Sequence, residues 1–155
     1  MKFYFLLFAV IVLSCSKDST PSSNPQAAVA EIIKTEEAFS RMSIDSGFNA
    51  AQKAFMANDA VKHLNGGFPI EGADSIGRFL DQHSDSNYTM SWKVRRADIS
   101  ASGDLGYSWG DWMLRAKQPQ EGDSMFGVYY TIWKKQTDGS WKWVLDGGSA
   151  TPKPR

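Results

Sequence analysis

Tyr88-Thr89-Met90-Ser91-Trp92-Lys93-Val94-Arg95 alternates apolar and polar residues at every step. A period of two is the mark of a strand with one buried face. The phase then slips, because the next apolar residues are Ala97 and Ile99. One extra residue at Arg95-Arg96, a β-bulge, accounts for the slip. Downstream, Ser102-Gly103-Asp104 turns the chain and Leu105 to Ala116 reads as a second strand. A polar loop, Gln118 to Asp123, leads to a third strand from Met125 to Gln136. Asp138-Gly139 is a strong hairpin turn, and Ser140 to Asp146 is the last strand.

Upstream of Tyr88 the spacing is helical. Asn24-Pro25 reads as an N-cap followed by proline at the first helical position. Val29, Ile32, Ile33, Phe39 and Met42 recur at helical intervals, which predicts a helix from Pro25 to Met42, broken by Asp45-Ser46-Gly47. Phe48, Ala51, Ala54 and Phe55 mark a second helix. Ala60 to Leu64 is a short strand, and Asp74 opens a third helix through Ile76, Phe79 and Leu80. The fold class is α+β: three N-terminal helices packed on a curved antiparallel sheet.

The N-terminal segment reads as an address. Lys2 precedes an apolar run from Phe3 to Leu13, too short for a bilayer, which needs roughly 20 residues, and suited to a secretory signal. Val12-Leu13-Ser14-Cys15 resembles the bacterial lipobox, so Cys15 is the expected lipidation site and new N-terminus. Residues 1–14 are then a signal peptide and residues 15–25 a lipidated cysteine with a polar, proline-punctuated tether. Residues 26–150 form the domain and residues 151–155 a tail. The protein is expected to be exported and anchored to a bacterial membrane, at the periplasmic face or the cell surface.

The chain has 155 residues, with 17 basic and 17 acidic side chains, and that balance argues against a nucleic-acid partner. It has one cysteine and two histidines, which leaves no metal site of the cysteine-rich or HExxH kind. No P-loop or dinucleotide motif is present, so no cofactor is expected. Six tryptophans are enough to build a substantial core.

Several stretches resemble the nuclear transport factor 2-like superfamily, nearest its SnoaL-like and calcium/calmodulin-dependent-kinase-association-like domains of unknown function. One runs from Met56-Ala57-Asn58-Asp59-Ala60-Val61 to Pro69-Ile70-Glu71-Gly72-Ala73-Asp74-Ser75-Ile76. Another is Ser102-Gly103-Asp104-Leu105-Gly106-Tyr107 with Gly110. The third joins Tyr130-Thr131-Ile132-Trp133-Lys134-Lys135 to Asp138-Gly139-Ser140-Trp141-Lys142-Trp143-Val144. The resemblance covers Ala27 to Ser149 and implies a cone, with a pocket inside the sheet and a dimer across its outer face. It implies fold more than function, because this fold hosts isomerases, cyclases, dehydratases and scaffolds.

By position in that pattern, Tyr107, Trp109, Asp111, Tyr129, Thr131 and Trp133 are expected to face the cone, with Trp112 and Trp92 outside. Tyr107, Trp109, Tyr129, Thr131, Trp133 and Asp146 are the candidate pocket residues, and Asp111 and His63 the candidate acid/base pair. Each has a plainer reading as core aromatic, solvated strand residue or surface histidine. The tyrosine of steroid isomerases has no counterpart, since Ile33 and Phe39 hold the matching helix positions. The arginines of the kinase-association branch are replaced by Trp109, Thr131 and Gly148. The expected partner is a small apolar or planar molecule, with acid/base chemistry of the isomerase, cyclase or dehydratase kind. The alternative is a non-catalytic dimeric interaction module.

Overall fold

The computed structural model describes residues 24–118 and 124–153. Cys15, the signal peptide and most of the tether lie outside them. The first helix, α1 (Pro25–Ser46), starts where its cap requires: Asn24 Oδ1 accepts from the backbone N–H of Gln26 at 3.0 Å and of Ala27 at 3.2 Å. It runs past Met42 to Ser46, where Gly47 at φ 100° bends the chain directly into α2 (Phe48–Phe55). There follow β1 (Met56–Lys62), β2 (Ile70–Glu71) and α3 (Ala73–Gln82), with Asp74 in the first turn of α3. The four long strands are β3 (Tyr88–Ile99), β4 (Leu105–Ala116), β5 (Ser124–Lys135) and β6 (Trp141–Thr151). Thr151, expected in the tail, pairs with Phe126 as the last residue of β6.

The six strands form one curved sheet in the order β2-β1-β6-β5-β4-β3. It is mixed rather than wholly antiparallel, because β1 runs parallel to β6 with Lys62 opposite Asp146. The α3 crossover carries the chain to the far edge, and the meander returns β6 beside β1 in the same direction. The bulge expected in β3 is present: pairing with β4 skips Arg95 between Val94 and Arg96. A second bulge in β6 leaves Val144 unopposed between Trp143 and Leu145. That single insertion changes the phase, so Trp141, Trp143 and Asp146 all point inward.

Helix α1 lies along the free edge of β3. Ser40 Oγ donates to the carbonyl of Trp92 at 2.9 Å and accepts its N–H at 3.0 Å, and Ser43 Oγ donates to the carbonyl of Met90 at 2.7 Å. The core between helices and sheet is built on Ile32, Phe39, Ile76, Leu80, Trp133 and Trp143.

The two central strands differ in side-chain size on their inner face. On β5 the inward residues are Tyr129, Thr131 and Trp133, as expected. On β4 the expected orientation is reversed. Gly106, Ser108 and Gly110 face inward, while Tyr107 and Trp109 stand outside at 39% and 38% exposure, with Asp111 on the same outer face. The cause is crowding of the inner face of β4 by its neighbours. A Cβ at Gly106 would stand 2.3 Å from Ile32 Cδ1 of α1 and 2.7 Å from the Asp98 carbonyl oxygen of β3. One at Gly110 would stand 2.0 Å from the Lys93 carbonyl oxygen of β3 and 2.9 Å from the ring of Tyr129, its partner on β5. Close-packed neighbours leave room only for small residues there. The same reversal brings Trp112 inward, over Gly127, and Trp92 is also turned inward.

Candidate functional site

Inside the curl of the sheet is a cavity of about 260 Å³. Its apolar wall comes from α1 (Phe39), α2 (Phe48), β3 (Met90 and Trp92) and β4 (Trp112). The rings are packed edge to face: Phe39 and Trp92 centroids are 4.5 Å apart at 73°, and Phe48 stands 6.3 Å from Trp92 at 88°.

The polar wall is a group of four side chains. Lys62 Nζ donates to Asp146 Oδ2 at 2.8 Å and to Gln52 Oε1 at 3.1 Å. Gln52 Nε2 donates to Asp146 Oδ2 at 3.3 Å, and Thr131 Oγ1 donates to Asp146 Oδ1 at 3.3 Å. Lys62 and Asp146 are only 7% and 8% exposed. The ammonium also lies over the rings of Phe48, 5.4 Å away, and Trp143, 5.8 Å away. Charges this buried persist when each is paired and its remaining capacity is hydrogen-bonded. Each member comes from a different element, α2, β1, β5 or β6, and the bulge at Val144 delivers the aspartate.

Behind Trp92 lies a second buried acid. Glu36 is 1% exposed. Its Oε2 accepts from Trp92 Nε1 at 2.8 Å; its Oε1 accepts from Trp133 Nε1 at 3.0 Å and from Ser108 Oγ. Burial raises its pKa to about 7, against the three donors, which favour the charged form, and with a smaller push from Asp146. Tyr129 completes this side. Its ring borders the cavity, but its buried hydroxyl has no partner among the described residues. Burial pushes the phenol up, helped by the negative charges of Glu36, Asp146 and Asp111.

The sequence candidates therefore divide. Tyr129, Thr131 and Asp146 border the cavity. Trp133 is fully buried in the core, bonded to Glu36 and Ser108. Tyr107, Trp109 and Asp111 are on the opposite side of the sheet, and Asp111 is paired there with Arg95. His63 follows β1 at the cavity rim, exposed, and its Nδ1 meets the hydroxyl of Tyr130. Tyr130 is itself on the outer face, so the imidazole is turned away from Asp146. The expected pair of Asp111 and His63 is thus not brought together: the first faces out because β4 is inverted, the second because it stands beside outward Gly147. Lys62, Gln52 and Glu36 were not anticipated. Glu36 had a signal, since it falls on the helical stripe of Ile32, Phe39, Ser40 and Ser43. Among the described residues, no group of three His, Cys, Asp or Glu is placed to hold a metal ion.

No family model matches the chain, and no curated protein matches it by sequence. Solved structures do match in shape. A nuclear transport factor 2-like protein of unknown function from Pseudomonas putida superposes with a TM-score of 0.65 at 18% identity, covering 81% of this chain and 88% of that one. A ketosteroid isomerase-like protein from Erwinia carotovora atroseptica gives 0.63 at 15% identity, over 81% and 97%. A nuclear transport factor 2-like superfamily protein from Salmonella enterica gives 0.63 at 17%, over 85% and 96%. The chain has the nuclear transport factor 2-like fold: helices packed against a curved mixed sheet of six strands.

Proposed function

We propose that this protein binds a small apolar or planar molecule in the cavity, and that Lys62 and Asp146 form the polar end of the site. The observation that carries this is an aromatic-walled hollow of about 260 Å³ with four converging polar side chains on one side. Apolar walls with a few fixed polar groups are the usual makeup of a ligand site. One structural neighbour is named as ketosteroid isomerase-like, and acid/base chemistry is open to this site too. A carboxylate beside an ammonium can take a proton while the ammonium steadies the negative oxygen that results. Asp146, not Asp111, is the group placed for that role.

The test is calorimetric titration of the full-length protein with 2-naphthol as a planar, uncharged probe. The wild type should bind it. Met90→Trp, which puts a larger side chain into the cavity wall, should weaken binding about tenfold or more while leaving thermal unfolding cooperative. Equal binding by both proteins would end the cavity reading.

The setting proposed for this site is a lipid-anchored, exported protein, on the lipobox at Cys15. Cys15→Ala should abolish incorporation of labelled palmitate and release the protein from membranes. The second reading, a dimeric module, draws on the outer sheet face, where Leu105, Tyr107, Trp109 and Tyr130 are all exposed. Contiguous exposed apolar surface of this kind marks contact sites. Light scattering that gives the mass of one chain would exclude the dimer.

A further inference from the structure

We infer that the Lys62–Asp146 pair is a charge filter, so that the cavity accepts uncharged ligands and rejects both organic anions and organic cations. This rests on the binding reading above and adds what class of molecule the site takes. The two charges stand 2.8 Å apart and cancel. Asp146 accepts three hydrogen bonds: Oδ2 from Lys62 and Gln52, and Oδ1 from Thr131. Gln52 is committed at both ends of its amide. The group therefore closes on itself, with no uncompensated charge to offer.

An incoming carboxylate would have to share the single cation, Lys62, with Asp146, leaving one buried negative charge uncompensated. An incoming ammonium would have to share Asp146 with Lys62, leaving one buried positive charge uncompensated. Burying a charge without a counter-charge is strongly unfavourable. The apolar wall, Phe39, Phe48, Met90, Trp92 and Trp112, carries no charge that could compensate, and His63 at the rim is engaged with the hydroxyl of Tyr130. Glu36, enclosed behind Trp92, adds a further bias against anions whenever it is ionised. One opening remains. Lys62 donates two of its three N–H groups to protein oxygens, so the third can meet a neutral acceptor such as a hydroxyl or carbonyl oxygen.

The experiment compares three probes of one shape at neutral pH by calorimetry on the full-length protein: 2-naphthol, 2-naphthoate and 2-naphthylmethylammonium. The wild type should prefer naphthol by about tenfold or more over either ion. Asp146→Asn frees Lys62 and should shift preference towards naphthoate; Lys62→Gln frees Asp146 and should shift it towards the ammonium. The wild-type comparison decides the matter even where a variant does not fold. If either ion binds the wild type as tightly as naphthol, and Met90→Trp still blocks it, the filter falls and the binding reading stands. If none of the probes binds, both fall.

Discussion

Two carboxylates are buried on the inner side of this sheet, and they are held in opposite ways. Asp146 is neutralised by a cation, Lys62, with further hydrogen bonds from Gln52 and Thr131. Glu36 is met by neutral donors alone, two indoles and a hydroxyl. The difference is one of charge accounting. Hydrogen bonds from neutral groups satisfy the oxygens of Glu36 without offsetting its charge, so burial dominates and the acid takes up its proton near neutrality. A protonated Glu36 still fits its surroundings. Its hydroxyl can donate to Ser108 while both oxygens keep lone pairs for the indoles. Asp146 instead has its charge offset directly by the ammonium of Lys62, 2.8 Å away.

The sharpest way to break this comparison is to remove the cation. Lys62→Met leaves Asp146 buried and unpaired, and unfolding titrations should show a loss of about 3–5 kcal/mol. The pH dependence comes next. Glu36 is raised from 4.5 to about 7 in the folded chain. Its contribution to stability is therefore full below the unfolded value and is lost as pH rises through 7. At roughly 1.4 kcal/mol per unit, that amounts to about 3 kcal/mol between mildly acidic and mildly alkaline pH. Denaturant midpoints measured across that window should fall, and Glu36→Gln should remove this component.

The same substitution has its own cost. An amide NH2 cannot accept from an indole, so one donor now faces another, at about 1–3 kcal/mol whatever the pH. Unfolding of Glu36→Gln that is unchanged at pH values below the Glu36 transition would disprove the three-donor arrangement. Tyr129→Phe removes a buried hydroxyl with no partner and should be neutral or stabilising by up to about 1 kcal/mol. Asp111→Asn should be smallest, below about 0.5 kcal/mol, because its ion pair is with exposed Arg95 on the outer face.

How much of this was legible in the sequence follows from where the signals lie. Element order could be read because each signal is local: the cap at Asn24, the period of two from Tyr88, the bulge at Arg95 and the turn at Asp138-Gly139. The face of β4 could not be read from β4 alone. Placing aromatics inside works for β5, where Tyr129 and Trp133 fill the core. It fails for β4, whose inner face must be small because Ile32 of α1, the backbone of β3 and the Tyr129 ring of β5 crowd it. The pairing of Gly110 with Tyr129 is one such contact, and it spans two strands that the sequence does not align by itself. The site was less accessible still. Lys62 and Asp146 are 84 residues apart and meet only through a parallel pairing that an all-antiparallel reading omits.

The serines of α1 have a consequence beyond holding the helix in place. Strand β3 would otherwise expose a run of free peptide groups, an open template onto which another chain could add. Ser40 and Ser43 occupy the backbone of Trp92 and Met90 on that side. At the opposite margin the last strand, β2, is two residues long. A covered stretch on one rim and a two-residue strand on the other leave little bare backbone to pair with, which opposes the rim-to-rim growth that leads to fibres.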